Sequence, residues 1–241
     1  MTRRVIGLAI LAVATLTLVA SAAAVAGIID IDQAKVLADG GFPYKINKSG
    51  SYRLTSDLTV LSTTANAIDV NADDVTIDLN GFSIIGPGPV SGRGINAGNL
   101  ETIENGAITG FGGDYGIRTN SNSIVRNVRA NSNFSGIVVN NNSVVKNCVA
   151  NSNTSTAIAC EGSGCAVSGN TVNSNRSAAV YCVGSGCMIS GNVMNGNKYG
   201  IAASDGTTGY SWNVLSSNAT NVSGGTSMGA GITNLCDGRA C

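Results

Sequence analysis

The later part of the chain alternates short apolar segments with Gly, Ser and Asn, in units of 20–22 residues. Each unit has a first and a second apolar position, and from the second of these units onward a third position follows five residues after the second. The first set is Ile95, Ile117, Ile137, Ile158, Val180 and Ile201; the second is Ile103, Val125, Val145, Val167, Ile189 and Tyr210; the third is Ala130, Ala150, Val172, Met194 and Leu215. Three inward positions per unit predict three short strands around a central core.

One unit is duplicated with few changes. Residues 157–175 read AIACEGSGCAVSGNTVNSN and residues 179–197 read AVYCVGSGCMISGNVMNGN. Stacked units of this kind pair their strands in parallel and in register, about 4.8 Å apart. Two rows of Asn then lie over one another at the bends, and we expect their amides to form hydrogen-bonded ladders. The rows are Asn131, Asn151, Asn173 and Asn195, and Asn133, Asn153, Asn175 and Asn197.

The chain divides into four segments on these patterns. Arg3 and Arg4, an apolar run and Ala24-Val25-Ala26 predict a signal peptide over residues 1–26, with an uncleaved anchor as the alternative. Residues 27–66 are expected to cap the stack, with a short helix over 32–37 and a strand–turn–strand pattern after it. Residues 67–221 form the repeats, and residues 222–241 form a tail. The protein is therefore expected to be secreted or periplasmic.

Composition narrows the classes of function. The formal net charge is zero without any basic stripe, so the chain shows no electrostatic footprint for nucleic acid. Histidine is absent, which excludes His-based triads, His zinc sites and His general bases. Hydrophobic residues make up 43% of the chain but aromatic residues only 5%, which suits a core of thin, stacked aliphatic strands.

The repeats resemble the right-handed parallel β-helix proteins, the superfamily that includes pectin and pectate lyases. The resemblance covers roughly residues 65–220 and is carried by VTIDLNGFSIIGPG at 75–88, GIVVNNNSVVKNCVANSN at 136–153 and the duplicated stretch. Residues 49–60 and the Cys-containing tail also look like uncharacterised secreted bacterial members of this group. The resemblance implies an all-β, right-handed parallel β-helix that is exported, but it implies activity only weakly because this fold hosts many functions.

Seven cysteines accompany the repeats, and six of them form three C-x4-C units. These are Cys160 with Cys165, Cys182 with Cys187, and Cys236 with Cys241, while Cys148 stands alone at a bend as a free thiol. We predict disulfides within each unit because the tail unit keeps the spacing without a second copy to stack on. Bridges between coils and a zinc site formed by four stacked Cys are the alternatives.

Candidate chemistry is sparse on the predicted outer surface. The residues after the first apolar positions include Arg118 and Tyr181, and Glu161 and Asp205 lie in nearby turns; these four are the candidate catalytic residues. Glu104 and Arg126 are expected to pair across neighbouring coils as surface charge. No cofactor is predicted, although the acids Asp73, Asp74 and Asp78 leave calcium as an alternative.

The sequence favours a monomeric, exported protein with a structural or carbohydrate-contacting role at the cell envelope, whose stacked Asn amides would contact sugar hydroxyls. Its partners would be polysaccharides or cell-surface glycans, with no nucleic acid and no membrane contact after signal cleavage. The rival hypothesis is a polysaccharide lyase or glycoside hydrolase that uses Arg118 with nearby acids. A third hypothesis is a periplasmic accessory protein that helps to load a cofactor. Because these hypotheses differ on catalysis, the sequence leaves enzymatic activity open.

Overall fold

The computed structural model describes residues 27–89, 92–228 and 233–241. The predicted signal peptide lies outside the described residues. Within them the chain is nearly all β and only 3% helical. Helix α1, Gln33–Ala38, matches the predicted short helix, and Asp32 caps it by accepting a hydrogen bond from Lys35 N at 2.7 Å. No helix in the described ranges is both long and apolar enough to cross a membrane.

The strands are short and follow one another along the whole chain. The first thirteen are β1 Ile29–Ile31, β2 Tyr44–Ile46, β3 Gly50–Leu54, β4 Leu58–Thr59, β5 Ile68–Val70, β6 Val75–Asp78, β7 Ser83–Gly88, β8 Ile95–Asn96, β9 Thr102–Phe111, β10 Tyr115–Arg118, β11 Ile124–Asn131, β12 Ser135–Val139 and β13 Val144–Lys146. The others are β14 Ile158–Cys160, β15 Ala166–Ser168, β16 Thr171–Asn173, β17 Ala178–Cys182, β18 Met188–Ser190, β19 Val193–Asn195, β20 Tyr199–Ala203, β21 Gly209–Ser211, β22 Val214–Ser216, β23 Thr220–Ser223, β24 Thr226–Ser227, β25 Leu235–Cys236 and β26 Arg239–Ala240.

These strands form three sheets by pairing with the equivalent strand of the next coil. The largest has twelve strands and runs β1-β3-β6-β9-β11-β13-β15-β18-β21-β24, with β4 and β7 beside it. The second has nine strands, β2-β5-β8-β10-β12-β14-β17-β20-β23, and the third has five, β16-β19-β22-β25-β26. The pairings are parallel except for the terminal β25–β26 hairpin. The chain is therefore a parallel β-helix of about nine turns, as predicted.

The core is a set of columns that run along the stack. In the nine-stranded sheet, Ile95, Ile117, Ile137, Ile158, Val180 and Ile201 are register neighbours, and all of them are fully buried. The second and third predicted sets are buried in the same way, except that Tyr210 is only partly buried against the core. The inner positions predicted from periodicity are thus the inner positions of the fold.

The N-terminal segment belongs to the stack itself. Strands β2, β3 and β4 pair in parallel with β5, β6 and β7, so the coils begin before residue 67, the start that the repeat pattern predicts. The helix α1 contributes Val36 to the core beside this end of the stack. The reason is that Tyr52 and Leu54 of β3 carry the same alternating pattern as the later strands and bury the same face.

Of the two predicted Asn ladders, the row through Asn133, Asn153, Asn175 and Asn197 is continuous and buried inside the bends. The row that begins at Asn131 is bonded only as far as Asn173 and lies nearer the surface. Asn153 N donates to Asn175 Oδ1 at 2.9 Å, and Asn175 N donates in turn to Asn197 Oδ1 at 2.9 Å. A third ladder runs through Asn170, Asn192, Asn213 and Asn234, and Cys148 N joins it by donating to Asn170 Oδ1 at 2.8 Å. Buried amides thus satisfy the backbone at the bends, where strand pairing stops.

Candidate functional site

The outer face of the nine-stranded sheet carries one side chain per coil in a continuous row. In register order the row is Lys45, Asp69, Asn96, Arg118, Val138, Ala159, Tyr181, Ala202 and Ser223. Neighbours in the row are about 4.8 Å apart because they sit on adjacent parallel strands. Polar and charged residues occupy the first four positions, and small residues occupy most of the others.

An aromatic cluster lies beside the charged part of this row. The guanidinium carbon of Arg93 is 5.3 Å from the centre of the Tyr115 ring, and that of Arg118 is 5.4 Å from it. Both distances are within the range of cation–π attraction. Tyr115 opens β10 and Arg118 ends it, so one strand brings the ring and one of the two cations together.

Each arginine of this cluster is also paired with an acid. Arg93 Nε lies 3.0 Å from Asp114 Oδ2, and Arg118 Nη2 lies 3.0 Å from Glu161 Oε2. Glu161 follows β14, two coils beyond Arg118, so the Arg118 side chain spans the small residues Val138 and Ala159 to reach it. The four side chains are between 27% and 37% exposed, which leaves them accessible from solvent.

A hydrogen-bond network fixes the N-terminal edge of the cluster. Arg93 Nη1 donates to Asn96 Oδ1 at 2.6 Å, and Arg93 N donates to Asn66 Oδ1 at 2.8 Å. Asn66 Nδ2 and Asn96 Nδ2 both donate to Asp69 Oδ1, at 2.7 and 3.3 Å. Planar amide, guanidinium and carboxylate groups therefore surround one aromatic ring on a rigid sheet. We call Asn96, Arg93, Asp114, Tyr115, Arg118 and Glu161 the tyrosine cluster.

The structure unites two of the four predicted catalytic residues and separates the others. Arg118 and Glu161 are in contact. Tyr181 lies three strands from Arg118 in the row, about 14 Å away, and its hydroxyl is 3.1 Å from Ser204 Oγ. Asp205 accepts a hydrogen bond from Thr207 Oγ1 at 2.7 Å in another turn. The four residues thus do not form one constellation, because the register places them on different coils.

Sequence reasoning missed Arg93 and Tyr115, the residues that complete the cluster. Arg93 precedes Asn96 by three residues, and Tyr115 precedes Arg118 by three, so they occupy equivalent positions in adjacent coils. The signal that could have found them is this shared position, three residues before the outward residue of each coil.

Two other predictions about polar groups are resolved. Glu104 and Arg126 form the expected ion pair between adjacent coils. The ladder amides do not face solvent as glycan contacts: Asn133, Asn153, Asn175 and Asn197 are buried and bond to one another and to backbone carbonyls. That prediction was wrong for this row, because the bends turn it inward, and it stays a prediction for the partly exposed row that begins at Asn131.

The acids near residue 75 cap turns within the fold. Asp73 Oδ1 accepts from Asn99 N at 3.2 Å, and Asp78 Oδ1 accepts from Asn80 N at 2.8 Å and from Asn105 Nδ2 at 3.2 Å. Asp78 pairs in register with Glu104 on the outer face of the twelve-stranded sheet, as expected. Calcium binding at these acids stays the alternative to the prediction of no cofactor.

The cysteines fall into three groups. Cys236 and Cys241 form the predicted disulfide within their unit, with Cα atoms 5.7 Å apart. Cys148 is a free, buried thiol, and burial raises its pKa to about 11. The structure differs from the prediction for the other two units: Cys160, Cys165, Cys182 and Cys187 are unbonded, and they are buried inside the corner instead of pinning an exposed turn.

The four unbonded thiols contact one another. The Sγ atoms of Cys160, Cys182 and Cys187 all lie within 4.8 Å of one another. The Cys165 thiol interacts with those of Cys160 and Cys187. Hydrogen bonds from Cys160, Cys165 and Cys182 lower the pKa of Cys187 well below its usual range. The hydrogen bonds to Cys165, Cys182 and Cys187, together with burial, raise the pKa of Cys160.

Comparisons with known proteins give structural similarity alone. No protein-family model and no curated protein sequence matches the chain. A double mutant of the periplasmic alginate epimerase AlgG is 12% identical, with a TM-score of 0.45 over 87% of this chain and 71% of that chain.

The A-module of the mannuronan C-5 epimerase AlgE6 from Azotobacter vinelandii is 11% identical, with a TM-score of 0.45 over 87% of this chain and 88% of that chain. The AlgE4 A-module from the same organism is 12% identical, with a TM-score of 0.32 over 84% and 89%. Because this similarity is low, the evidence for the fold is the strand pairing of the chain itself.

Proposed function

We propose that this protein is exported and binds a polysaccharide along the outer face of the nine-stranded sheet, with the tyrosine cluster as the centre of contact. The observation that carries the proposal is the Tyr115 ring with the guanidinium groups of both Arg93 and Arg118 within 5.4 Å of its centre. Sugars are recognised by an aromatic face together with planar hydrogen-bonding groups, and both occur here. The basic and apolar start of the chain supports export.

The geometry of the row suits an extended chain of sugars. Its side chains repeat about every 4.8 Å, close to the length of one pyranose unit. Beyond Arg118 the row continues with Val138 and Ala159, which lie beneath the Arg118–Glu161 ion pair, and then with Tyr181. A polysaccharide laid along the stack would meet the tyrosine cluster first and Tyr181 three coils later.

The charges of the cluster point to recognition by stacking and hydrogen bonds. Both arginines are already paired with acids, so the cluster offers no excess of positive charge to an acidic polymer. Binding should therefore change little between low and high salt, whereas attraction between net charges would be screened.

The proposal is tested by Tyr115→Ala against Tyr199→Ala as the matched control. Tyr199 is also on the nine-stranded sheet, and Lys198 Nζ is 5.2 Å from its ring centre, but it lies four coils away. Retention on an immobilised polyuronate and on a neutral glucan is measured by affinity electrophoresis. We expect Tyr115→Ala to weaken binding about tenfold, equal to about 1.4 kcal/mol, and Tyr199→Ala to leave it unchanged.

The two variants and the salt series make the result decisive. Retention on either polymer that depends on Tyr115 and persists in high salt supports the proposal. Retention on neither polymer, or an equal loss in both variants, contradicts it. A cleavage assay on the same samples addresses the rival hypothesis of catalysis. The distance of Tyr181 and Asp205 from Arg118 argues against it, since proton transfer needs groups within hydrogen-bond reach of the substrate.

A further inference from the structure

The duplicated stretch brings four cysteines to one corner of the stack. Cys160 ends β14 and Cys182 ends β17, and the two are register neighbours. Cys165 and Cys187 directly precede the paired residues Ala166 and Met188 of the next sheet. Each coil therefore contributes two cysteines, one on either side of its Gly-Ser-Gly loop.

The loops above these cysteines hold the corner in a fixed shape. Gly164 N donates to Ser185 O at 2.9 Å, and Ser185 N donates to Ser163 Oγ at 3.1 Å. The coils are so close that a Cβ on Gly184 would lie 2.4 Å from the Gly162 carbonyl carbon. The backbone that carries the four sulfur atoms is thus preorganised by the stacking of the two loops.

The sulfur atoms form a three-plus-one arrangement. Those of Cys160, Cys182 and Cys187 are all within 4.8 Å of one another, and that of Cys165 interacts with Cys160 and Cys187. In a tetrahedral zinc site the metal–sulfur distance is about 2.3 Å, which places the sulfur atoms about 3.8 Å apart. Cys165 lies outside the group of three, so its sulfur atom must move toward the others to complete a tetrahedral site.

The surroundings select a soft cation. The four sulfur atoms are buried, and the equivalent positions in the flanking coils are Val139 and Ala203 in one column and Ser143 and Thr208 in the other. The cluster itself contains no carboxylate or imidazole ligand. Ions that require oxygen ligands, such as calcium and magnesium, do not fit, whereas zinc and other thiophilic cations do.

We propose that Cys160, Cys165, Cys182 and Cys187 together bind one thiophilic metal cation of the zinc class, as a structural site that joins two adjacent coils. On binding, each thiol releases its proton to water and each sulfur forms one bond to the metal, so no oxidant is required. The C-x4-C spacing lies within the range that structural zinc sites use. A cleft of about 390 Å³, lined by Cys187, Met188 and Met228 among others, opens beside the cluster and gives the cation a route in.

Disulfide pairing is the competing arrangement of the same atoms. A disulfide needs one sulfur neighbour for each cysteine, as Cys236 and Cys241 have. Cys160, Cys182 and Cys187 each have two sulfur neighbours within 4.8 Å, so no single pairing accounts for the cluster, whereas one shared metal does. This difference favours a metal for the four-cysteine corner.

The test uses the full chain purified without chelator, with Co²⁺ as a spectroscopic probe for zinc. We expect one metal per chain by elemental analysis, and on exchange to Co²⁺ a thiolate charge-transfer band with the strong visible bands of a tetrahedral site. Cys182→Ser should reduce the affinity for Co²⁺ at least tenfold. Cys148→Ser, which changes a buried thiol outside the cluster, should leave uptake unchanged.

Thiol counting in denaturant without reductant separates the alternatives. Five free thiols after metal removal, together with one bound metal before it, support the site. One free thiol means that two disulfides have formed and overturns it. Five thiols without metal uptake by the folded protein also overturn it. Circular dichroism of both variants shows whether a loss of uptake follows from unfolding.

Discussion

One corner column of the stack buries different kinds of polar side chain at its two ends. The column runs Val75, Glu101, Ser123, Ser143, Cys165, Cys187 and Thr208. At the N-terminal end it buries a carboxyl group, and at the other end it buries two of the four clustered thiols. The backbone path is the same, so the fold fixes the corner while the side chain in it decides the chemistry.

At the Glu101 end of the column, the buried carboxyl group has only part of its hydrogen bonds satisfied. Glu101 is 1% exposed, and its Oε2 accepts from Val75 N at 3.2 Å. Its Oε1 has no hydrogen-bond partner within the described residues. Burial raises the pKa of Glu101 to about 8, and the nearby Asp73 and Asp74 add to the rise against the lowering effect of the Val75 N–H. The thiol end, in contrast, has a partner for each of its sulfur atoms.

Replacing Glu101 should therefore produce the largest change in the free energy of unfolding, and this change should depend on pH. The folded protein holds the proton up to about pH 8, whereas the unfolded chain releases it near 4.5, so the free energy of unfolding falls as pH rises between these values. We expect a loss of up to about 4 kcal/mol across this window. Glu101→Gln should remove most of it and should be more stable than the wild type at pH 8.5.

Urea denaturation at pH 5, 6.5 and 8.5 measures this effect. Glu104→Gln serves as the control, because it changes a carboxylate on the outer face and should keep the wild-type pH dependence. A wild-type stability that is flat or rises over this range would show that Glu101 is ionised in the folded protein.

The Asn ladders near the thiol end should give the next largest effect. Asn175 Oδ1 accepts from both Asn153 N and Asn153 Nδ2 at 2.9 Å, and Asn175 Nδ2 donates to Ala150 O at 3.0 Å. Asn175→Ala leaves several buried groups without partners, and we expect a loss of about 3 kcal/mol in the free energy of unfolding. The exposed Asn120→Ala should change it by less than about 0.5 kcal/mol. Equal effects of the two changes would mean that the ladders are not what stabilises the bends.

How far the columns of the stack can be predicted from the sequence depends on the kind of side chain that they contain. The apolar columns were predicted correctly because Ile117, Val145 and their equivalents repeat at a fixed period, and burial follows directly from that. The four cysteines were found through their spacing, but their shared contact depends on the depth of the corner. Glu101 was missed because its column mixes Val, Glu, Ser, Cys and Thr, which show no common pattern.

The tyrosine cluster marks a second limit of sequence reasoning. Arg118 was selected by its position, and Glu161 by its proximity in a turn. Their contact crosses two coils, and the ring that Arg118 lies beside belongs to Tyr115, three residues earlier. Long side chains that reach across coils are set by rotamers and by the small residues between them, which periodicity does not encode.

Substitution of two glycines in the loop above the clustered thiols should give the smallest losses of stability. The two changes distinguish a glycine required by close packing from one required by its backbone conformation. A Cβ on Gly184 would lie within 2.6 Å of backbone atoms of Gly162 and Ser163, so Gly184→Ala must push the coils apart at a cost of about 2 kcal/mol. Gly186 has φ +68°, and a Cβ there would meet no atom within 4 Å, so Gly186→Ala costs only the left-handed backbone, about 1 kcal/mol. If the corner binds metal, Gly184→Ala should also weaken Co²⁺ uptake while Gly186→Ala does not, because only the first displaces one pair of cysteines from the other. Equal losses of stability in urea denaturation would show that loop stacking does not hold the corner together.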